Sequence, residues 1–288
     1  MPCYDPVGTH RVDGTPTYRP CGNCIGCRLE YSRQWAVRMC HESSFYNENS
    51  FITLTYNQEN LPEDGSLVKA HLQNFMKRLR RKNDTKKIRF YGCGEYGSDL
   101  GRPHYHLCLF GYNFPDREIF KGAQGTVWQN RWKKKGYDNT IYTSKMLDSL
   151  WKKGFQTIGD LTFESCAYVA RYVTKKVNGE KKNNWYDGKQ PEFALMSRMP
   201  GIGNEWIKRF KTDVYPKDFH TINGIKNRPN RYYDSICEKI DKKTFEEVKK
   251  KRRYKGENKK YESQVRLWQK ERHRESITKT LERKIENG

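Results

Sequence analysis

The 288 residues are enough to bury one catalytic domain with extensions, but hydrophobic residues make up only 35% and the mean hydropathy is −1.06, which predicts a modest core. The net charge of +22, from 56 Lys and Arg against 34 Asp and Glu, favours a polyanionic partner, and interleaved aromatic residues favour nucleic acid over a membrane surface. Aromatic residues make up 14% of the chain, which argues against a mainly disordered protein. The sequence has neither an apolar run of about 18 residues nor the apolar core of a signal peptide, so we expect neither a membrane span nor export.

Alternating and helical hydrophobic patterns predict an α+β domain. In chain order the predicted elements are a helix over 28–42, a strand over 51–56, a helix over 68–82, strands over 88–97, 104–111 and 154–161, and a helix over 163–177. Loops are predicted up to about residue 27 and from 178 to about 235, and 112–150 is predicted as an aromatic and basic insertion. Because adjacent strands are joined by short connections, we expect a central antiparallel sheet flanked by helices.

The chain is predicted to have three segments: a Cys-rich segment and helix over 1–45, a catalytic core over 46–180, and an aromatic and basic extension over 181–288. From Lys239 onward, 18 Lys and Arg stand against 9 Asp and Glu. Blocks such as KKKRRYK predict a basic helical extension that assists DNA binding, whereas a solvated helical face is the simpler alternative.

A cysteine cluster lies near the start of the chain. Cys21, Cys24 and Cys27 form a C-x2-C-x2-C motif with Cys3 upstream, and glycines between them permit the tight turn that lets thiolates chelate one tetrahedral ion. In a reducing cytoplasm, the 9 cysteines are expected to be free or metal-bound rather than paired. We expect a structural zinc ion on these four cysteines. The alternative is reduced cysteines that pack a small loop; iron–sulfur binding uses similar spacings, but nothing else in the sequence indicates redox chemistry.

The stretch GRPHYHLCLFG, residues 101–111, places His104 and His106 one residue apart in a predicted strand. Because a strand has a period of two, both imidazoles project from one face and Tyr105 projects from the other. Glu95 ends the preceding strand, and in a hairpin it would lie close to both histidines. Two imidazoles and one carboxylate can hold a divalent ion with positions left open for substrate. An isolated pair of this kind is more typical of surface histidines, but with Glu95 nearby metal ligation is the better interpretation.

The stretch AYVARYVTKK, residues 167–176, places Tyr168 and Tyr172 four residues apart, so on a helix their side chains lie on one face, about 6 Å apart at Cβ. Lys175 and Lys176 follow, and lysines there could face a phosphate. A phenol with a pKa of about 10 is a weak nucleophile at neutral pH and needs a metal or a cation beside it. Two tyrosines at this spacing are otherwise typical of packing.

Taken in order, FITLTY, GRPHYHLCLFG and YVARYVTKK resemble the three motifs of the HUH endonucleases, the initiators of rolling-circle replication. The paired tyrosines with trailing lysines resemble the initiators of small single-stranded DNA bacteriophages. The opening CGNCIGCRLEYSRQWAVR resembles the replication proteins of gokushovirus-type microviruses. The resemblance covers about residues 1–180. Tyr105 is a mild departure, since the residue between the histidines is usually bulky and apolar in the family.

The resemblance implies the HUH endonuclease fold, which is RRM- or ferredoxin-like, and an enzyme that nicks and rejoins single-stranded phage origin DNA. One of Tyr168 and Tyr172 would attack the origin phosphodiester and form a 5′-phosphotyrosine, and the other would act after a round of synthesis. Lys175 would stabilise a phenolate or the phosphate charge. Because the phosphotyrosine conserves the energy of the bond, no nucleotide cofactor is expected, and no P-loop motif is present.

The resemblance further implies a catalytic Mg²⁺ or Mn²⁺ held by Glu95, His104 and His106. The expected partners are the single-stranded DNA origin and a host helicase and polymerase, in the cytoplasm of the host bacterium. Two other interpretations stay open. One is a plasmid relaxase or single-strand transposase of the same chemistry, and the other is a non-catalytic, zinc-containing nucleic-acid-binding protein.

Overall fold

The computed structural model describes residues 3–97, 101–120, 140–175, 186–222, 224–257 and 262–286, and of 172–175 and 279–286 it gives the backbone alone. Within these ranges the chain forms a seven-stranded antiparallel sheet, two separate two-stranded hairpins and nine helices, which confirms the predicted α+β class. None of the described helices is long and apolar enough to cross a membrane. Two compact units are present: a sheet unit that contains Ser43–Arg198, and a helical unit that contains Met1–Glu42 and Met199–Leu281.

The described strands and helices have the following bounds. The strands are β1 (Val7–His10), β2 (Pro16–Arg19), β3 (Asn49–Tyr56), β4 (Arg89–Tyr96), β5 (Pro103–Phe110), β6 (Glu118–Ile119), β7 (Tyr142–Thr143), β8 (Gly154–Gly159), β9 (Phe193–Met196), β10 (His220–Ile222) and β11 (Ile225–Asn227). The helices are α1 (Ile25–Ser43), α2 (Lys69–Lys82), α3 (Lys145–Trp151), α4 (Phe163–Lys175), α5 (Asn204–Arg209), α6 (Lys211–Val214), α7 (Arg231–Ile240), α8 (Lys242–Glu257) and α9 (Gln264–Glu286).

The sheet has the order β6-β7-β8-β3-β5-β4-β9, and all its neighbouring strands are antiparallel. Its contiguous centre, β8-β3-β5-β4, consists of the four strands that the sequence predicts. The three further strands, β6, β7 and β9, are two to four residues long and lie outside this centre. Such short segments carry too little periodicity to be recognised and are defined by their pairing partners.

One face of the sheet carries the hydrophobic core. Helices α2 and α3 contribute to it together with alternate residues of β3 and β5, namely Ile52, Leu54, Leu72, Phe75, Leu79, Leu107, Leu109 and Trp151. Gly94 of β4 faces the same side, and a Cβ there would lie 3.0 Å from the side chains of both Leu67 and Phe193. Glycine at this position therefore lets the side chains of Leu67 and Phe193 pack closely against β4.

Helix α4 lies on the opposite face, against β4 and β5. Among the described side chains of this helix, those of Cys166, Val169 and Ala170 are buried. The residues of β3 that point to this face are only half-buried, in contrast to the fully buried residues that alternate with them. Among the described residues, the β3–β8 side of this face is thus the more open one.

All seven predicted elements are present, with bounds that differ from the predictions by at most three residues. Two loop predictions are wrong in part. The stretch up to residue 27 contains the β1–β2 hairpin and the start of α1, and the stretch from 178 to about 235 contains β9, α5, α6, the β10–β11 hairpin and the start of α7. The predicted insertion contains β6, β7 and α3, and its residues 121–139 lie outside the described part of the chain.

The helical unit has a core of its own, with buried side chains from α5 to α8: Ile207, Val214, Tyr215, Tyr233, Ile236, Cys237, Phe245 and Val248. The predicted basic helical extension is confirmed, since α7, α8 and α9 span most of it. It is more than a solvated charged face, because Phe245 and Val248 of α8 are 5% and 0% exposed. Arg252 of the same helix binds two carboxylates, with its Nε 2.9 Å from Asp218 Oδ2 and its Nη1 2.6 Å from Asp234 Oδ2.

Two histidines are buried in the helical unit. The ring of His41 stacks on Trp206, with centroids 3.5 Å apart, and its Nδ1 is hydrogen-bonded to the Tyr233 hydroxyl at 2.9 Å. The ring of His220 lies edge-on to His41, with centroids 5.1 Å apart. Burial lowers the pKa of His41 to about 3 and that of His220 to about 4, so both are neutral at pH 7.

Candidate active site

The β4–β5 hairpin brings three titratable side chains together on one face of the sheet. Glu95 of β4 lies directly opposite His104 of β5, and His106 lies opposite Cys93. On the other side of β5, His106 pairs with Thr53 of β3. Because residues directly opposite each other in antiparallel strands project to the same face, the carboxylate and both imidazoles converge. This is the proximity that the spacing of the three residues predicts.

Both imidazoles meet a single carboxylate oxygen. The Nε2 atoms of His104 and His106 lie 2.6 Å and 2.7 Å from Glu95 Oε1, and the two rings are nearly perpendicular, with centroids 4.9 Å apart. One ligand atom from each of the three residues lies within 4.8 Å of the others. Glu95 and His106 are buried, and His104 is half-buried. The structure therefore brings together a group that could hold a metal ion.

The second ring nitrogen of each histidine is also engaged. His104 Nδ1 lies 3.0 Å from the carbonyl oxygen of Arg102, and because a carbonyl only accepts, this nitrogen carries the proton and donates it. His106 Nδ1 lies 2.9 Å from Thr53 Oγ1, and the His106 ring stacks on Phe51 with centroids 5.6 Å apart. Contacts of this kind fix the orientation of a metal-binding imidazole and direct Nε2 towards the ion.

Glu95 is the most deeply buried member of the group, at 2% exposure. Burial raises the pKa of its carboxyl, but the charge of His106 and the hydrogen bonds from both histidines outweigh burial, so the pKa is lowered overall. Its Oε2 atom has no hydrogen-bond partner within the described part of the chain. A buried, ionised carboxylate oxygen of this kind is costly unless a cation or a donor satisfies it.

Tyr168 is the predicted nucleophile that the structure places beside this group. Its ring lies edge-on to His106, with centroids 5.0 Å apart, and edge-on to Phe51, with centroids 6.2 Å apart. Helix α4 continues to Lys175, so the backbone of Tyr172 lies one helical turn beyond Tyr168. The side chains of Tyr172 and Lys175 are outside the described part of the structure.

Tyr105 faces the core, as the strand period predicts. Its ring is fully buried, and its hydroxyl lies 2.7 Å from the Tyr56 hydroxyl and donates to the Val68 carbonyl oxygen at 3.1 Å. Burial raises the pKa of its phenol. The Tyr105 side chain thus packs in the hydrophobic core, on the face of the sheet opposite to that of Glu95, His104 and His106.

The four cysteines of the N-terminal cluster come together in the helical unit. Their sulfur atoms lie within 4.8 Å of one another, with Cys3 and Cys21 3.8 Å apart. All four are free thiols rather than disulfides. Cys3 and Cys24 are buried, whereas Cys21 and Cys27 are half-buried. The structure thus gathers all four of the residues that the sequence predicts as ligands.

Phe155 of β8 is a candidate that the sequence analysis missed. It pairs with Thr55, which pairs with His104, which in turn pairs with Glu95, so the four side chains form a row across one face of the sheet. Phe155 is 68% exposed, while its neighbour Gln156 is buried and donates to Thr143 Oγ1 at 2.7 Å. The aromatic residue lies outside and the amide inside, which reverses the usual preference, so the sequence GFQTIG carried no signal that Phe155 faces outwards.

The chain is similar to replication-associated proteins of several phages and viruses. A family model described as replication-associated protein ORF2/G2P matches residues 49–177. The chain is 36% identical over 234 residues to the replication-associated protein ORF2 of Spiroplasma virus 4, which covers 76% of this chain and 68% of that protein. It is 29% identical over 229 residues to the replication-associated protein VP4 of Bdellovibrio phage phiMH2K, covering 76% and 67%. With ORF4 of Chlamydia phage 1, a replication-associated protein, identity is 35% over 241 residues, covering 82% and 58%. No solved structure matches the chain.

Proposed function

The chain belongs to the ORF2/G2P family of replication-associated proteins, and on this premise we propose that it initiates rolling-circle replication by nicking single-stranded phage origin DNA. The family assignment confirms the resemblance to gokushovirus-type replication proteins that the sequence motifs indicated. One observation carries the proposed chemistry: the carboxylate of Glu95 and the imidazoles of His104 and His106 converge, and the ring of Tyr168 lies beside them.

The donor set fits a divalent cation. Glu95 supplies a buried carboxylate with one oxygen unpartnered among the described residues, and His104 and His106 direct their Nε2 atoms to the other oxygen. These three residues would hold Mg²⁺ or Mn²⁺, which when bound polarises the scissile phosphodiester and stabilises the charge that develops on its oxygens. Thr53 and the Arg102 carbonyl keep the imidazoles in the required orientation.

The nucleophile is a tyrosine hydroxyl of α4. Its oxygen attacks the phosphorus and gives up its proton, the bond from phosphorus to the 3′ oxygen breaks, and that oxygen takes a proton and leaves as a 3′-OH. The products are a primer end and a 5′-phosphotyrosine. The position of Tyr168 beside His106 supports its assignment as one such nucleophile. Lys175, at the end of the same helix, is assigned to stabilise the phenolate or the phosphate charge.

A pair of tyrosine nucleophiles fits a reaction that ends by rejoining the two ends of a DNA strand. While one tyrosine holds the 5′ end, the second cuts the regenerated origin, and the new 3′-OH attacks the first phosphotyrosine and returns the proton to its phenol. Tyr168 and Tyr172 are one helical turn apart, which would let both hydroxyls reach the same phosphate. The phosphotyrosine conserves the bond energy, so the cycle needs no nucleotide cofactor.

The open side of the sheet face offers a path for the DNA. Phe155 lies in the same row as His104 and Glu95, two strands away from His104, or about 10 Å at the usual strand spacing. An exposed aromatic ring at that distance can stack on a base next to the scissile phosphate, because every base has a π-face. The net charge of +22 supplies the phosphate contacts that give affinity without sequence preference. A host helicase and polymerase, in the bacterial cytoplasm, would extend the 3′-OH.

The decisive experiment is cleavage of a labelled single-stranded oligonucleotide that carries the phage origin. With Mn²⁺ we expect a shortened product and a covalent protein–DNA adduct that maps to Tyr168 or Tyr172 by mass spectrometry. The His106→Ala variant should bind the oligonucleotide with near wild-type affinity but form no adduct, because the ligand acts in the transition state and affinity comes from distributed phosphate contacts.

The outcomes separate the competing functions. Binding without any cleavage, by wild type as well as variant, would favour a non-catalytic nucleic-acid-binding protein and contradict the proposal. An adduct on plasmid transfer or transposon ends, but not on the phage origin, would indicate a relaxase or a transposase of the same chemistry. Full cleavage by His106→Ala would remove this site from the mechanism.

A further inference from the structure

We propose that Cys3, Cys21, Cys24 and Cys27 bind one zinc ion, and that this ion fixes the surface on which the basic helix α9 docks. The inference concerns the helical unit and does not depend on the nicking activity. It joins two observations: the geometry of the four sulfur atoms, and the hydrogen bonds that connect the residues next to two of these cysteines with α9.

The sulfur atoms have the spacing of a tetrahedral zinc site. A Zn–S bond of about 2.3 Å places two sulfurs of a regular tetrahedron about 3.8 Å apart. The observed separations are 3.8 Å between Cys3 and Cys21, 4.0 Å between Cys21 and Cys27, and 4.0 Å between Cys3 and Cys24. A disulfide would need about 2.0 Å. In an iron–sulfur cluster the four thiolates are distributed over two or more iron atoms, so that not all four lie this close together.

Backbone amides point at the sulfur atoms. The N–H of Cys21 donates to Cys3 Sγ at 3.3 Å, the N–H of Cys24 to Cys21 Sγ at 3.3 Å, and the N–H of Cys27 to Cys24 Sγ at 3.4 Å. The N–H of Tyr4 donates to Cys24 Sγ at 3.3 Å. Hydrogen bonds of this kind fix the orientation of the sulfur atoms and would stabilise the negative charge of a site with four thiolate ligands.

The cluster has little else to hold it together. Its core consists of Cys3, Tyr4 and Cys24 with partly buried neighbours, which is far less apolar surface than the cores of the sheet and helical units provide. A segment with so small a core is typically stabilised by a metal or by disulfides. Because the four cysteines of the cluster are free thiols and form no disulfide, a metal ion is the cross-link that remains.

Helix α9 contacts this segment directly beside the ligands. The backbone N–H of Ile25, next to Cys24, donates to Glu271 Oε1 at 3.3 Å, and the side-chain amide of Gln264 donates to the carbonyl oxygen of Tyr4, next to Cys3, at 3.3 Å. Both hydrogen bonds involve backbone atoms, of Tyr4 and of Ile25, and form only while these two backbone positions are fixed. A zinc ion that joins Cys3 to Cys24 would fix both positions at once.

The docked helix is basic and mostly exposed. In its described part it carries Arg266, Lys270, Arg272 and Arg274. Zinc would thus order a cationic surface suited to phosphate contacts, while α9 itself contributes no ligand. Loss of the metal should release α9 and leave the rest of the chain folded.

Metal content and coordination test the first half of the proposal. Protein purified without chelator should contain one zinc per chain. Cys24→Ser should lose it, whereas Cys40→Ser, a cysteine of helix α1 outside the cluster, should keep it. The visible absorption spectrum of the wild-type protein with Co²⁺ in place of zinc reports the coordination without any mutation. Four thiolates around a tetrahedral cobalt ion give an intense visible absorption. Iron in place of zinc, equal zinc in both variants, or a cobalt spectrum without thiolate bands would overturn the assignment.

Hydrogen exchange tests the second half on the full-length protein. After zinc removal, amides of residues 264–278 should exchange at least tenfold faster, and zinc should restore the slow rate. Amides of helix α2, in the sheet unit, should not change. Unchanged exchange in 264–278 after proven zinc loss would show that the ion does not control the docking of α9. Equal acceleration in α2 would indicate general unfolding and would contradict the proposal as well.

Discussion

The hydrogen bond between Thr53 and His106 gives the most direct test of the candidate metal site without removing a ligand. If Nε2 of His106 binds a metal, Nδ1 carries the proton and donates it to Thr53 Oγ1 across 2.9 Å. Thr53→Val keeps the shape and the strand propensity of the side chain but removes the acceptor. We therefore expect a variant that folds, binds DNA, and binds the catalytic ion less tightly.

The size of the effect follows from two estimates that agree. Outer-shell partners of metal-binding histidines are worth about 10- to 100-fold in metal affinity or activity, which is about 1–3 kcal/mol. A buried donor left without an acceptor costs about 1–3 kcal/mol. Because His106 is 5% exposed, water cannot replace the lost oxygen easily. The concentration of Mn²⁺ that gives half-maximal nicking should thus rise about 10- to 100-fold, with the rate at saturating Mn²⁺ largely retained.

The assay is the initial nicking rate of an origin oligonucleotide as a function of Mn²⁺, with calorimetric titration of Mn²⁺ as a readout that needs no cleavage. Thr157→Val is the matched control, since Thr157 lies opposite Thr53 on β8, one strand farther from His106. Thr53→Ser, which keeps a hydroxyl, should restore most of the affinity. The reasoning would be refuted if Thr53→Val binds Mn²⁺ as tightly as wild type, or if Thr53→Ser and Thr53→Val are equally impaired.

Three further outcomes are expected. The Tyr168→Phe and Tyr172→Phe variants should each retain some first-round cleavage but fail to complete repeated rounds, and the double variant should form no covalent adduct; an adduct on the double variant would place the nucleophile elsewhere. Phe155→Ala should weaken metal-free binding of a short single strand by about 1–3 kcal/mol in fluorescence anisotropy, and Phe155→Trp should not, whereas equal loss in both would exclude stacking. The pKa values of His41 and His220 lie near 3 and 4 in the fold, against about 6.5 in the unfolded chain, so unfolding takes up protons at acidic pH. The free energy of unfolding of the helical unit should therefore fall by about 1 kcal/mol per pH unit for each histidine as the pH falls from 6.5 towards 4. In urea titrations followed by hydrogen exchange, His220→Phe should flatten this dependence, and an unchanged slope would contradict it.

The site was predictable from the sequence where it depends on local periodicity. The strand period places His104 and His106 on one face, and the pairing of β4 with β5 brings Glu95 opposite His104. Both facts follow from residues within a dozen positions of one another. The same applies to Cys21, Cys24 and Cys27, which lie within seven positions of one another, whereas Cys3 is 18 positions before Cys21.

What the sequence could not provide depends on contacts between distant segments. The pairing of Thr53 with His106 joins residues 53 positions apart, and nothing local indicates which strand lies beside β5. Helix α9 meets the cysteine segment through Ile25 and Glu271, which are 246 positions apart. The exposure of Phe155 was missed for a related reason: the side-chain amide of Gln156 donates to Thr143 Oγ1 of the neighbouring strand, and this contact between strands holds Gln156 on the inner side in place of the aromatic residue.

The two candidate metal sites differ in donor chemistry, and this difference has a consequence for how the protein would work. Four thiolates are soft ligands that select zinc, whereas one carboxylate and two imidazoles accept a wider range of divalent ions. At such a nitrogen and oxygen site zinc binds more tightly than manganese, so affinity alone would not keep zinc away from Glu95 and the histidines. If this site uses Mg²⁺ or Mn²⁺, as we propose, their selection would come from abundance in the cell and from the open positions that the DNA phosphate would fill. A protein that carries both sites is therefore best assayed with its thiolate site loaded and its carboxylate site stripped, because zinc carried over into the second site would mask the catalytic ion.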